Sequence, residues 1–504
     1  MTLSKNLAAG LFSSFATALL TLVVAPIYIH WLGVEAYALI GICVTLQTLM
    51  QLLDFGLAPT VNREVASGLA RGDLTRSRNL LGTLAWFYWV TAGCVAFLGY
   101  FAAHFAADNW ISAQAYQPDQ LAYLLFLMGL AVSSRWPGNL YGGAMLGANQ
   151  LGRFSFGNLV ALSVSHFGAI LSLSQLGADL AIYFYWQIGC GLLLSLYFRA
   201  HAWRTIGSEG SQELSWEPFR STMKFSLSMG GVALTSIILT QLDKVILSKL
   251  LPLQDYGYYM LAFTASRAVY VIVNPVFSLV YPRFSALHAT GNQSQAAVLY
   301  RLCSTTLASV LFPIAALLMF FGKNLLVLWV GDPSVAQNTA ILLGLLGLGS
   351  ALHGVMYVAY AMQLGFGASW LPLMINVALI LLMGPLIVLL VDSYGAIGAA
   401  SAWIAIEVIY FASGTFLTLK LLKHRSPRLV LVSYVDVLVP LSVSMILIGF
   451  VGNLLKATSS HFGSIFVGVV LAILSVAVGL LSSPLLLRFM RTRDLSSMLV
   501  MGRM

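Results

Sequence analysis

Charge is scarce in this chain. Of its 504 residues, 26 are Lys or Arg and 17 are Asp or Glu, 9% in all, while 59% are hydrophobic. Soluble globular domains carry about 25% charged residues, so that class is excluded. Cysteine is equally sparse. Cys43, Cys94, Cys190 and Cys303 each lie inside an apolar run, without metal-ligand spacing, and read as inert buried thiols. No phosphate-binding glycine loop and no HExxH pair occurs. No stretch between apolar runs much exceeds about 25 residues, whereas a membrane glycosyltransferase or polymerase needs a larger loop with paired carboxylates. An enzyme is therefore not expected, nor a cofactor. Without an ATP site, any transport must run on a gradient, with coupling to H+ or Na+ open. No cleavable signal peptide is expected, because Lys5 leads into a long run without a small-residue cleavage site.

What the chain does contain is span after span. Apolar runs lie at about 8–30, 36–58, 80–105, 120–146, 156–176, 179–199, 225–251, 256–281, 302–322, 339–363, 370–391, 396–419, 431–453 and 463–487. About 20 apolar residues cross a bilayer, so the expectation is an all-α polytopic membrane protein of about fourteen transmembrane helices. The formal net charge of +9 could suggest nucleic acid, but its distribution does not. With the N-terminus in the cytoplasm, twenty of the 26 Lys and Arg fall in segments on that side. The positive-inside rule thus predicts an even number of spans and both termini cytoplasmic. Trp31, Trp110, Trp136, Trp329 and Trp370 sit near span ends, as an aromatic belt would.

The two halves echo each other. Tyr37, which follows Glu35 before the second span, matches Tyr256, which neighbours Asp255 before the eighth, and Gly72-Asp73 matches Gly291-Asn292, both at an offset of 219. Ala144-Met145 matches Ala361-Met362, and Gly177 matches Gly395. The expected organisation is an N-lobe of six helices at 1–199, a cytoplasmic linker at 200–224, a C-lobe of helices seven to twelve at 225–420, and a remainder at 421–504 holding two further helices and a basic cytoplasmic tail. In the linker, Trp203, Trp216 and Phe219 alternate with charges, as in an interfacial helix. Parallel six-helix repeats place substrate between lobes that rock.

Polar residues inside spans are costly and mark function by default. Arg135, Asp243, Lys244, Arg267 and Glu407 fall within spans, and Asp54 falls toward the end of one. Asp243 and Lys244 point about 100° apart and should not pair along the helix, so each needs another partner or water. Gln241 shares a face with Lys244, whose stem could snorkel outward. Asp243 and Arg267 could meet across a helical hairpin, either as a static bridge or in a polar cavity. Asp54 reads equally as an end-of-helix charge. Pro137 kinks the helix beside Arg135, Ser133, Ser134 and Asn139, which suggests a cavity wall. Glu407 could be a protonatable coupling site or a hydrogen-bonded structural acid. Asn274-Pro275 could be a hinge or an ordinary kink. Arg63 and Arg283 sit at the inner ends of equivalent helices.

The run QLDKVILSKLLPLQDYGYYMLAFTASR (241–267), with WLGVEAYALIGI (31–42), DFGL (54–57), NLLVLWVGD (324–332) and YGAIGAAS (394–401), resembles the polysaccharide transporter (Wzx-like flippase) family. That family belongs to the superfamily of multidrug-and-toxin (MATE) extruders and lipid II flippases. The resemblance covers nearly the whole chain. It implies two pseudo-symmetric MATE-like lobes in a bacterial inner membrane. It also implies alternating access that moves an undecaprenyl-diphosphate-linked oligosaccharide from the inner to the outer leaflet. Arg135, Lys244 and Arg267, with Gln241 and Asn274, would line a cationic cavity, and Arg63 and Arg283 would capture the diphosphate. Asp54, Asp243 and Glu407 would serve coupling or charge pairing. The lipid tail would stay in the bilayer along the last two helices. Partners would be membrane lipids and a polysaccharide polymerase with its chain-length proteins. The alternatives are a cation-coupled multidrug exporter, a lipid II flippase, and a non-transporting subunit of a polysaccharide assembly complex.

Overall fold

The structure, a computed structural model, describes residues 2–54, 56–207, 216–422, 426–452, 461–483 and 485–487. Residues 208–215 of the expected linker, Lys423, Arg425, Lys456 and the basic tail at 488–504 lie outside the described residues, as do the side chains of Trp216 and Phe219.

The described chain is all helix. The first half runs α1 (Thr2–Leu32), α2 (Val34–Leu49), α3 (Leu57–Arg71), α4 (Thr75–Asn109), α5 (Pro118–Gly147), α6 (Leu151–Leu176) and α7 (Leu180–Ile206). The second runs α8 (Trp216–Leu250), α9 (Leu253–Ser266), α10 (Tyr270–Ala289), α11 (Gln293–Val330), α12 (Pro333–Gly365) and α13 (Trp370–Leu419). Helices α14 (Pro427–Ser444) and α15 (His461–Leu481) follow. Among the described residues, twelve helical segments are long and apolar enough to cross a membrane. One of them, α13, is two helices joined at Gly395, whose φ of 54° and ψ of −137° suit only glycine. Helix α5 has 30 residues and also reaches across, though SSRWPGN dilutes its apolar centre. With α13 counted as two and α5 included, the spans number fourteen, as the hydropathy pattern predicts.

The duplication is visible in the elements themselves. In the first half α2 and α3 are joined through a 3-10 turn at Met50–Asp54; in the second, α9 and α10 are joined through one at Arg267–Val269. One difference from expectation is α3. Residues 57–71, read as part of a basic loop, form a helix that buries Leu57, Val61, Val65 and Gly68 on one face. This is the i, i+4 pattern of an amphipathic helix, with Arg63 and Arg71 outward.

By packing, the chain divides into two units, 1–257 and 258–504, whereas the expected limits followed the linker. Helix α8 packs on α2, α3 and α4 and belongs to the first unit. The centre of that unit is α5, which touches α2, α3, α4, α6 and α7. Lipid is as apolar as leucine, so close backbone approach rather than water exclusion holds such helices together. Glycines make that approach possible. A Cβ at Gly147 would lie 2.3 Å from the Asn62 carbonyl oxygen on α3, and one at Gly143 2.5 Å from that of Ala58. On the opposite side, a Cβ at Gly191 of α7 would strike Ser134 Oγ at 2.1 Å.

The second unit is built on α11 and α12, with α10 and α13 against α12. Helices α14 and α15 pack on α11, through Arg301 Nε to Asp436 Oδ2 at 2.7 Å and an apolar cluster of Ala316, Phe321, Ile448 and Leu471.

Replacing Gly147 with Val should overpack the α3–α5 contact and cost about 1–3 kcal/mol. The detergent-purified variant should show a lower thermal midpoint. An unchanged midpoint would mean that α3 does not sit against α5 as described.

Candidate functional site

The Asp243–Lys244 pair departs from the sequence-based expectation. Lys244 is 1% exposed and Asp243 0%. Its ammonium donates to Asp243 Oδ1 at 2.9 Å and Oδ2 at 3.0 Å, and to the Thr240 carbonyl at 2.7 Å. The 100° separation between neighbours describes Cβ directions; a four-carbon stem is long enough to fold back across it. Lys244 therefore neither snorkels nor presents a free charge, and it lines neither of the cavities found in the first unit. Gln241 is buried beside it, with Nε2 3.4 Å from Thr240 Oγ1. Arg267, the expected partner of Asp243, belongs to the second unit.

Arg135 is different. It rises from the middle of α5, about two turns before Gly143. Pro137 removes a backbone donor from this turn, and Ser195 of α7 donates its hydroxyl to the Ser134 carbonyl at 2.8 Å. The Arg135 guanidinium donates through Nη2 to Ser165 Oγ at 2.7 Å and to Gln187 Oε1 at 2.8 Å. Its Nε is buried without a hydrogen-bond partner. Gln187 is held in turn by the Ser165 carbonyl at 3.2 Å. The arrangement fixes the guanidinium with neutral groups only, so its positive charge stays uncompensated among the described residues.

That charge borders a cavity of about 410 Å³ in the first unit. Gln47, Gln51, Asn62, Asn139 and Asn158 supply amides, and Trp136, Phe154 and Phe198 supply aromatic surface. Each contributing helix uses i, i+4 spacing: Gln47 and Gln51, Ala58 and Asn62, Arg135 and Asn139, Phe154 and Asn158. These positions share a face by helix geometry alone. Of the cavity residues, the sequence reading identified Arg135 and Asn139. It missed the amides at 47, 51, 62 and 158, of which only Gln47 and Gln51, four apart within one apolar run, offered a signal.

The second unit has a counterpart. His353 of α12 sits 218 residues after Arg135, and its Nδ1 lies 2.9 Å from Glu407 Oε1 on α13. Glu407 is 1% exposed, and its Oε2 has no hydrogen-bond partner. Rings of Tyr270, Trp403 and Tyr410 surround His353 at centroid distances of 5.7–6.1 Å. Thus in each half a basic side chain from the fourth span (α5 or α12) reaches a polar one on the sixth (α7 or the second part of α13). Arg267 is exposed at the 3-10 turn, with its guanidinium over Phe263 at 5.4 Å and Tyr270 at 5.1 Å.

The remaining candidates lie elsewhere. Asp54 is buried and accepts from Tyr88 Oη and from the Ala58 amide at 3.3 Å, where it caps α3. Its contacts are with the first turn of α3 and with α4. Arg63, Arg283 and Asn274 are exposed and do not line the Arg135 cavity. Among the described residues no three His, Cys, Asp or Glu side chains are grouped to hold a metal ion.

The family model described as "Polysaccharide biosynthesis protein" matches residues 3–288. Among solved structures, the chain is similar to lipid II flippase MurJ in an inward closed conformation, with a TM-score of 0.64 at 14% identity, covering 93% of this chain and 97% of that one. It is also similar to an inward-facing multidrug resistance MATE family transporter of the MOP superfamily, with a TM-score of 0.60 at 13% identity, covering 81% and 96%. A third similar structure is the Vibrio cholerae MATE transporter VcmN in the bent form, with a TM-score of 0.52 at 17% identity, covering 84% and 96%. At these identities the likeness establishes the fold. No curated protein matches the chain.

Breaking the buried pair should be far worse than removing it. K244M alone should cost about 3–5 kcal/mol by stranding Asp243, and D243N/K244M should recover most of that loss. Thermal midpoints and detergent-extractable yield of the single and double variants test this. A single variant as stable as the parent would contradict the buried pairing.

Proposed function

The chain belongs to the polysaccharide biosynthesis protein family, which its first 288 residues match, and on that premise we propose that it is a flippase for a lipid-linked oligosaccharide. The membrane fold shared with MurJ and MATE transporters supports a flippase or exporter in general. The single observation that carries the finer reading is Arg135. A guanidinium held in the middle of a span by neutral groups is an anion site kept ready, since burial makes its charge costly until an anion arrives. The amides around it match the hydroxyls of a sugar, and the rings of Trp136 and Phe154 match the apolar faces of one.

The substrate we infer is an undecaprenyl-diphosphate-linked repeat unit of O-antigen, capsule or exopolysaccharide. Its diphosphate would engage Arg135, with Arg267 as a second cation that cation–π contacts hold in place. The sugars would occupy amide-lined space, and the polyprenyl tail would remain among the lipids. Movement runs from the inner to the outer leaflet of a bacterial inner membrane, by alternating access and without ATP. The buried Glu407–His353 pair is the place where H+ or Na+ coupling would act. A polymerase and its chain-length proteins would take the product. Lys244 has no part in substrate binding on this account, because Asp243 already neutralises it.

One observation favours a second reading. A buried carboxylate among aromatic rings, as at Glu407, also suits an organic cation, so a multidrug exporter is the alternative. The two readings differ at Arg135, which an organic cation would avoid.

In proteoliposomes carrying a fluorescent lipid-linked oligosaccharide, R135Q should slow translocation at least about tenfold, the weight of a charge-assisted hydrogen bond. R135K should keep part of the rate, since it retains charge but loses the planar fork. Wild-type translocation by R135Q would remove Arg135 from the substrate path.

A further inference from the structure

The two repeats are joined differently at corresponding places. Gly331 and Asp332 suffice to link α11 to α12, whereas residues 110–117 link α4 to α5. The duplicated fold does not need the extra length. In the structure the longer loop lies across the turn between α8 and α9. We propose that this loop is a strap that latches the α8–α9 turn to α2 and must let go once in every transport cycle. The latch rests on the transporter reading.

Three contacts make the strap. On one side is Glu35, in the first turn of α2 and 9% exposed. Its Oε1 accepts from the Gln114 amide at 3.1 Å, and its Oε2 from the Ala115 amide at 2.9 Å. Successive backbone N–H groups cradle an anion, and a carboxylate acceptor makes such bonds stronger than neutral ones. On the other side, the Ser112 carbonyl accepts from the Leu253 amide at 2.8 Å, beside an isolated parallel bridge of Ser112 with Pro252. At the start of the loop, Trp110 Nε1 donates to Ser248 Oγ at 2.9 Å, and Lys249 Nζ lies 4.9 Å from the centre of the same indole. One loop thus grips α2 through Glu35 and the α8–α9 turn through Ser112 and Trp110.

The elements it joins also pack directly. A Cβ at Gly257, near the start of α9, would lie 2.6 Å from the Val34 carbonyl oxygen at the start of α2. The strap closes over this close approach.

Position gives the strap its meaning. Arg76 and Arg78 lie in the first turn of α4, and the strap begins where that helix of 35 residues ends, about 50 Å away. It therefore lies at the end of the bundle away from these basic residues, the outer end under the positive-inside rule. Helix α8 is the first helix of the second repeat, yet it packs on α2, α3 and α4 of the first. Repeats that rock must part at this end for a substrate to leave outward, and the strap ties them there. Gln114, Ala115 and Pro252 are exposed, so water can replace the backbone bonds as they break. The closure is reversible, as a latch requires.

The test uses the full chain in proteoliposomes, with the four native cysteines replaced by serine. S112C/P252C puts a thiol pair on the bridge, where paired residues sit about 5 Å apart, within disulfide reach. Oxidation should stop translocation of a fluorescent lipid-linked oligosaccharide, and dithiothreitol should restore it. Full translocation by protein whose cross-link is confirmed by mass spectrometry would overturn the proposal. Pulsed electron paramagnetic resonance reads the latch without substrate. Spin labels on D119C/D255C report from exposed positions on α5 and α9. E35Q keeps the shape of the side chain and loses its charge, so it should raise the share of the longer label distance about tenfold. An unchanged distance distribution in E35Q would also overturn the proposal. Absence of translocation by the parent, with the E35Q shift present, would sink the oligosaccharide reading and leave the latch.

Discussion

The first unit is organised around one guanidinium in the middle of a membrane span. An arginine there costs about 2.5–3.5 kcal/mol on insertion scales, and no carboxylate among the described residues is paired with it. Ser165 and Gln187 take two of its hydrogen bonds and leave the charge intact. Meeting this constraint requires α5 to be held from every side. Glycines at 143 and 147 seat α3 against it, Gly191 seats α7, and Ser195 of α7 bonds the Ser134 carbonyl beside the Pro137 kink. The most buried helix of the unit is also the one that carries the costly charge.

Duplication explains much of the remaining layout, and divergence explains its chemistry. Arg135 with Gln187 and His353 with Glu407 occupy corresponding places in the two halves. The first pair bears a fixed positive charge. The second pairs an imidazole with a carboxyl group, and its acid keeps one oxygen without a hydrogen-bond partner. On the proposed function, the first place would serve substrate capture and the second energy coupling. Asp54 is a different case, a buried acid whose hydrogen bonds go to the first turn of α3 and to Tyr88 of α4.

The architecture was largely legible in the sequence because membrane solvation imposes it. Fourteen apolar runs, the basic segments between them and the recurring offset near 218 all follow from the bilayer and the repeat. Arg135 was legible because a central cation is so costly. Two things were not legible. Whether Lys244 faces water or folds back depends on its rotamer, and nothing in the spacing decides it; the structure turns it onto Asp243. The amides at 47, 51, 62 and 158 lie on four separate segments, so their convergence is a tertiary fact. Helix α3 was overlooked because its charges outweighed its apolar period of four.

The central claim is that Arg135 holds the anionic headgroup of a lipid-linked sugar. Its most direct test is calorimetric binding of a short-chain prenyl-diphosphate oligosaccharide to the purified protein, set against the same oligosaccharide lacking the diphosphate. The account predicts that the diphosphate compound binds, that the neutral sugar binds far more weakly, and that R135Q abolishes the difference between them. Equal binding of both compounds by the parent protein would contradict it.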